Sequence, residues 1–315
     1  MKLSKEHIER LREMLGRPRQ RIVIVSHTNP DGDAVGSSLA WAEVLRTMGH
    51  EVTCVVPNKF PYFLDWMPGI DEIVVFKTDT EGHAARAIAE ADILFCLDFN
   101  AISRLEILSA TIEANTTARR VLIDHHLSPD EGFDLSFSHP DSSSTCFLVY
   151  SIVEAMCGTD AITRSMAETL YVGMMTDTGN FAFSFLTPEL FRAVAVLLEK
   201  GISIPDIHNS VYNAYTEGRA RLFGYAINRK MEVIQDGTVA YMSLLENEMR
   251  RFQFQQGDSE GFVNYALTIK KVKMSAMFLA HRKFIRVSLR SRGGVDVNLF
   301  ARKYFDGGGH KNAAG

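Results

Sequence analysis

Short, continuously apolar runs alternate with longer helical patterns through the first half of the chain. Residues 22–26, 52–56, 73–76, 93–97 and 121–123 are apolar almost throughout rather than at every second position. That pattern predicts strands of a parallel sheet buried on both faces. Between them lie helical patterns over 34–48, closed by Gly49, over 84–91, and from about Leu105. Such alternation predicts a doubly wound α/β domain. Residues 144–228 turn mostly helical, with Pro188 and Pro205 at helix starts, where a missing amide hydrogen costs nothing. A hairpin follows, with strands over 231–235 and 239–244 around Asp236-Gly237. A helical segment and strands over 274–279 and 284–289 complete a smaller α+β domain. The expected organisation is a first domain over 1–190, a helical connector over 191–228 and a second domain over 229–315.

Composition excludes several classes. The 315 residues are 46% hydrophobic and 23% charged, with a mean hydropathy of -0.03, unlike a disordered or fibrous chain. The apolar runs fall far short of the roughly 18 residues that a membrane span requires. Lys2 and Lys5 are followed by Glu6, Glu9 and Glu13 with no apolar core of a secretion signal, so a cytoplasmic location is expected. Cys54, Cys96, Cys146 and Cys157 sit in apolar surroundings without a CxxC pair, which predicts buried free thiols rather than disulfides or a zinc site. The net charge of -4 hides an asymmetry: residues 1–218 hold 17 Lys and Arg against 30 Asp and Glu, whereas 219–315 hold 17 against 8. A basic C-terminal third suits a polyanionic partner, although basic surfaces are often merely solvated.

The candidate chemistry begins where the first strand ends, in His27-Thr28-Asn29-Pro30-Asp31-Gly32-Asp33. Pro30 and Gly32 favour a tight turn that lets Asp31 and Asp33 converge, although an Asp-rich helix cap has the same look. An EF-hand fails, because counting from Asp31 puts Val35 and Ala42 at ligand positions. Three further islands follow strands or helices: Asp98, the run Asp124-His125-His126, and Asp177 in Thr176-Asp177-Thr178-Gly179. Each alone is an ordinary turn or cap. Gathered at one edge of one sheet, they would repel one another without cations. Oxygen and imidazole donors without thiolate favour Mn²⁺ or Mg²⁺, with Co²⁺ or Fe²⁺ as alternatives. Two such ions suit hydrolysis at phosphorus. No Walker A sequence, GxSxG elbow or HExxH pair competes.

These motifs, with the terminal run Gly307-Gly308-Gly309-His310-Lys311-Asn312-Ala313-Ala314-Gly315, resemble the DHH phosphoesterase superfamily. Within it, the chain looks like the short two-domain oligoribonucleases that also act as 3'-phosphoadenosine 5'-phosphate phosphatases. The resemblance covers nearly the whole chain and implies a DHH domain facing a DHH-associated domain across a cleft. By motif position, it implies one metal held by His27, Asp31 and Asp98, and a second by Asp33, Asp98, His125 and Asp177, with Asp98 bridging. It also implies that His126 faces the scissile phosphate and helps protonate the leaving oxygen, while Asp124 orients the histidine pair. Arg290, Arg292, Gly307, Gly308, Gly309 and His310 look like nucleotide-holding elements, and Arg104 like a phosphate contact. Ser142, Ser143 and Ser144 are more simply read as helix capping. The implied substrate is a short RNA or nucleotide, with no membrane partner, and a homodimer is compatible.

Two departures stand out. Asp306 lies where the family more often has glycine, and the sequence stops at Gly315, inside a motif that relatives usually extend into a closing strand. Linear or cyclic dinucleotide hydrolysis would use the same chemistry, as would inorganic pyrophosphatase, whose C-terminal domain usually carries lysine and arginine clamps instead of a glycine-histidine run. A metal-bound nucleic-acid sensor without turnover is the non-enzymatic alternative.

Overall fold

The computed structural model describes residues 3–182 and 185–315. The chain divides into two units, Met1–Val211 and Tyr212–Gly315. In the first, helix α1 (Lys5–Leu15) precedes β1 (Arg21–Ser26), α2 (Gly32–Thr47), β2 (Glu51–Val56), β3 (Val74–Val75), α3 (His83–Ala89), β4 (Ile93–Leu97), α4 (Ser109–Ala114), β5 (Arg119–Asp124) and β6 (Leu135–Ser138). Helices α5 (Thr145–Cys157), α6 (Arg164–Asp177), α7 (Pro188–Glu199) and α8 (Ile204–Tyr212) follow. The strands form a six-stranded sheet in the order β3-β2-β1-β4-β5-β6, parallel throughout.

Every residue of β4 is buried, as a strand between two helical layers requires. One face packs Val23, Val25, Leu94, Cys96 and Leu122 against Ala84 and Ile88 of α3 and Ile112 of α4. On the other, Trp41 of α2 meets Phe95 edge-on at 5.4 Å. Removing such side chains from water contributes about 1.5–3 kcal/mol each. The sheet order reverses around β1 and β4, so the loops leaving those two strands meet at the switch point where open α/β sheets hold their ligands.

Strand β6 escapes the sequence pattern because its Leu-Ser-Phe-Ser alternates, only one face being buried. The segment from Leu105 differs as well: a 3-10 turn over Ile102–Leu108 precedes α4, with Glu106 at φ 46° breaking the helix. Cys54, Cys96 and Cys146 are buried free thiols as expected, but Cys157 is exposed. It ends α5, where the apolar run meets the loop at Gly158.

The second unit holds α9 (Glu217–Tyr225), β7 (Met231–Ile234), β8 (Val239–Leu244), α10 (Glu246–Arg251), α11 (Phe262–Tyr265), β9 (Met274–Ala280), β10 (Ile285–Ser291), α12 (Val297–Tyr304), β11 (Gly309–His310) and β12 (Ala313–Ala314). Its sheet order is β11-β12-β10-β9-β8-β7. Antiparallel β7–β8 is the hairpin read from Asp236-Gly237, whereas β8–β9 is parallel, with α10 and α11 in the crossover. Alternate residues Ala240, Met242 and Leu244 pack with Leu222, Phe262 and Leu279 in one core. This unit carries 17 Lys and Arg against 9 Asp and Glu. Among the described residues, no helix is long and apolar enough to cross a membrane.

Candidate metal centre

Four chain segments bring eight acidic and imidazole residues together at the ends of β1, β4, β5 and α6. Asp31 caps α2, its Oδ1 accepting from the amides of Asp33 at 3.0 Å and Ala34 at 3.1 Å. The cap therefore presents two carboxylates two residues apart. Asp98 leaves β4 with φ 64°, a left-handed conformation unusual for a non-glycine residue. Its amide donates to Ile123 O of the neighbouring strand at 3.1 Å. Asp124 ends β5, so His125 and His126 stand on the adjoining loop. Asp177 is the last residue of α6.

The donor atoms fall into overlapping groups. His27, Asp31 and Asp98 form one, Asp33, His125 and Asp177 another, and Asp98, Asp124 and His126 a third. His27 Nε2 is 3.4 Å from Asp98 Oδ2. On the opposite oxygen, Asp98 Oδ1 is 3.6 Å from His125 Nε2, which also lies 3.7 Å from Asp33 and 3.4 Å from Asp177. Asp98 thus reaches both of the first two groups. His27 Nδ1 is tied to Thr28 O at 2.9 Å and His125 Nδ1 to Ser142 O at 3.2 Å, which turns each Nε2 toward the carboxylates. His126 Nδ1 pairs with Asp124 Oδ1 at 2.7 Å.

Helix α5 supplies what the sequence pattern does not announce. The amides of Thr145 and Cys146 donate to Asp33 Oδ2 and Oδ1 at 2.7 and 2.8 Å, and Thr145 Oγ1 donates to Asp98 Oδ1 at 3.0 Å. Ser144 caps the helix by accepting from Phe147 N at 3.0 Å. Ser144 is therefore the cap, Ser142 Oγ donates to Ser144 O at 3.0 Å, and the first amides beyond the cap hold a carboxylate of the protein itself. Close approach of α2 and α6 also matters. A Cβ on Gly173 would lie 2.2 Å from Cys146 Sγ and 2.7 Å from Asp33 Oδ1, and one on Gly36 would lie 2.4 Å from Thr169 O.

Electrostatics mark the cluster as unbalanced. Burial, followed by the charges of Asp33, Asp31, Asp177 and Asp124, pushes the Asp98 carboxyl well above its usual range. Burial raises Asp33 as well, against the opposing pull of His125. His126 is brought down to about 4, chiefly by burial, and burial likewise lowers His27. Burial works against Asp124, but its hydrogen bond and charge pairing with His126 bring it below the ordinary value. His125 rises because Asp177, Asp33 and Asp124 together overcome its own desolvation. Divalent cations would relieve this repulsion, and the oxygen and imidazole donors fit hard or borderline ions. The residues present therefore fit a metal site.

Among the expected substrate contacts, Arg104 stands close enough for its charge to lower both His27 and His126. Arg290 lies half-buried on β10. Arg292 is exposed, and its Nη2 donates to Ile269 O at 2.9 Å and to Lys270 O. Gly307, Gly308, Gly309 and His310 form a tight hairpin: Gly308 and Gly315 exchange amide bonds at 2.9 Å. A Cβ on Gly307 would meet Gly315 O at 2.1 Å, and Gly309 has φ 141°. Asp306 adopts φ 50°, the left-handed region that a glycine would occupy without strain.

Residues 21–174 match the DHH family N-terminal domain, and residues 236–315 match the DHHA1 domain. The chain belongs to the DHH family. It is similar to the bifunctional oligoribonuclease and PAP phosphatase NrnA of Thermus thermophilus, 28% identical over 98% of this chain and 88% of that protein. The protein of the same name from Bacillus subtilis is 25% identical over 93% and 88%. Among solved structures, an exopolyphosphatase-related protein from Bacteroides fragilis is 41% identical, with a TM-score of 0.92 over 99% of this chain and 90% of that one. DHH membership makes this chain a phosphoesterase of mixed α/β fold with a candidate acidic and histidine metal site.

Proposed function

We propose that the protein is a two-metal phosphoesterase that releases 5'-mononucleotides from short oligoribonucleotides and removes the 3'-phosphate of 3'-phosphoadenosine 5'-phosphate. Mn²⁺ is the proposed ion, Mg²⁺ and Co²⁺ being alternatives, and the cytoplasm the proposed setting. The observation that carries the reading is that Asp98 faces two separate groups of ligating atoms through its two carboxylate oxygens. His27, Asp31 and Asp98 would hold one ion, and Asp33, Asp98, His125 and Asp177 the other. The names of the Thermus and Bacillus relatives support the substrate class. The ions, when bound, neutralise phosphate charge and make water nucleophilic at neutral pH.

The chain's own groups do the rest. Backbone amides at the starts of α2 and α5 hold the Asp31 and Asp33 carboxylates without needing the substrate. His126, lowered to about 4, is neutral near pH 7. Its Nδ1 is engaged by Asp124, so proton exchange with a leaving oxygen falls to Nε2. An approaching phosphate anion would raise its basicity and let it carry that proton. Arg104, Arg290 and the hairpin at Gly307–Gly309 with His310 are the proposed phosphate and nucleotide contacts, glycines permitting close backbone approach.

The test uses metal-stripped protein supplied with Mn²⁺ and equal concentrations of a 5'-phosphorylated diribonucleotide, 3'-phosphoadenosine 5'-phosphate, pyrophosphate and polyphosphate. Turnover of the first two well above the others is expected. Preference for polyphosphate would favour the second reading, suggested by the name of the 41% identical Bacteroides relative, and preference for pyrophosphate would move the function to phosphoanhydrides. Arg290→Ala is expected to raise KM about tenfold with little change in kcat, as for a group that binds substrate without joining the chemistry. Arg292→Ala should instead lower stability by about 1 kcal/mol, because its guanidinium bonds two backbone carbonyls. Steady-state kinetics and thermal melts separate the two outcomes.

A further inference from the structure

We infer that Thr145 is a positioning residue that ties the two metal subsites to each other, an inference resting on the two-metal reading above. Thr145 is wholly buried at the first turn of α5. It touches carboxylates from two separate elements: its hydroxyl donates to Asp98 and its amide to Asp33, with the Cys146 amide completing the hold on Asp33. Asp33 belongs to the group with His125 and Asp177, and Asp98 to the group with His27 and Asp31. One residue therefore spans both.

The backbone bond from position 145 to Asp33 could be made by any residue except proline, but the bond to Asp98 requires a side-chain donor. Asp98 has particular need of one. It sits in a left-handed conformation, and four neighbouring carboxylates, Asp33, Asp31, Asp177 and Asp124, act against its charge. At 3.0 Å, Thr145 Oγ1 is nearer than the imidazole nitrogens of His27, His125 and His126, at 3.4, 3.6 and 3.8 Å. Threonine is also stiff at χ1, so its hydroxyl fixes the Asp98 carboxylate relative to the helix that holds Asp33. A carboxylate accepting this bond keeps lone pairs on both oxygens for two ions.

The test is equilibrium binding of Mn²⁺ to the metal-free full chain, followed by the electron paramagnetic resonance signal of free Mn²⁺. Thr145→Val keeps the shape and the backbone bonds but loses the hydroxyl. It is expected to weaken binding by about 10–100-fold, the effect typical of outer groups that orient metal ligands. Thr145→Ser restores the donor and should bind within about threefold of the unaltered chain, the hydroxyl being what orients Asp98. Valine binding as tightly as threonine overturns the inference. So does serine binding as weakly as valine, which would assign the effect to methyl packing. Should both Thr145→Val and Thr145→Ala fail to fold without metal while Thr145→Ser folds, the hydroxyl serves folding and the positioning role falls. An unaltered chain that binds no Mn²⁺ removes the two-metal reading itself, whereas normal binding in the parent and in Thr145→Val removes this inference alone.

Discussion

Asp98→Asn should abolish hydrolysis and at the same time make the metal-free protein more stable. Asp98 faces both candidate metal groups, so the change weakens a ligand to each ion at once, and activity should fall about a thousandfold or more. Stability moves the other way. Burial and four like charges hold the Asp98 carboxyl well above its usual range. For a carboxyl raised in the folded state, the folded form binds more protons than the unfolded one. Its contribution is therefore fully present below the ordinary carboxylate value and is lost as pH rises through the raised one. Near pH 7 the metal-free protein carries that penalty, and asparagine removes it while keeping an acceptor for Thr145. Melting of metal-free protein should rise by about 2–4 °C for each kcal/mol recovered in a domain of this size. The gain over the parent should shrink as pH is lowered toward 5. Calorimetry of both proteins at the two pH values reads this out, and an Asp98→Asn protein that is less stable than its parent at pH 7 would contradict it.

Gly173→Ala carries the second large effect. Alanine is ordinarily the better residue inside a helix, by about 1 kcal/mol. Here its Cβ would fall 2.2 Å from Cys146 Sγ, 2.9 Å from Cys146 Cβ and 2.7 Å from Asp33 Oδ1. All three atoms are buried, so α6 must move away from α2 and α5. The overpacking should cost about 3 kcal/mol, the upper end for one added methyl, and Asp33 should leave the position set by the α5 amides. Mn²⁺ affinity should fall with stability. Adding Cys146→Ala removes the nearest colliding atom, so the double variant should regain part of the melting temperature without regaining metal affinity, because the collision with Asp33 remains. Unchanged melting and unchanged Mn²⁺ binding in Gly173→Ala would show that the helices have slack the geometry does not suggest.

These two residues show what could be read from the chain and what could not. Asp98 follows a continuously apolar strand, and a carboxylate directly after such a run in a parallel sheet lands at the ligand-binding edge. The same holds for His27, Asp31 and Asp33 after β1 and for Asp124, His125 and His126 after β5, so the structure brings together in one buried cluster residues that the strand pattern alone had aligned. Gly173 gave no such signal. Nothing in the helical pattern singles it out, and its purpose exists only where three helices meet. Thr145 was hidden for a related reason: half of what it does is done by a backbone amide, which no side-chain pattern records. The sequence pattern does not mark strand β6 or helix α12, because one is a short half-exposed strand and the other an amphipathic helix of 8 residues separated from a glycine run only by Phe305 and Asp306. Asp306, flagged as a departure from the family, proves to occupy the backbone conformation that glycine would supply.

The central claim is that one chain holds two ions through a shared carboxylate. Its most direct test is a titration of Mn²⁺ into metal-free protein, with bound metal per chain and hydrolysis of a 5'-phosphorylated diribonucleotide followed on the same samples. The geometry predicts two ions bound per chain, with turnover rising as the second site fills. Full activity at one ion per chain, or no activity with both sites filled, would contradict it.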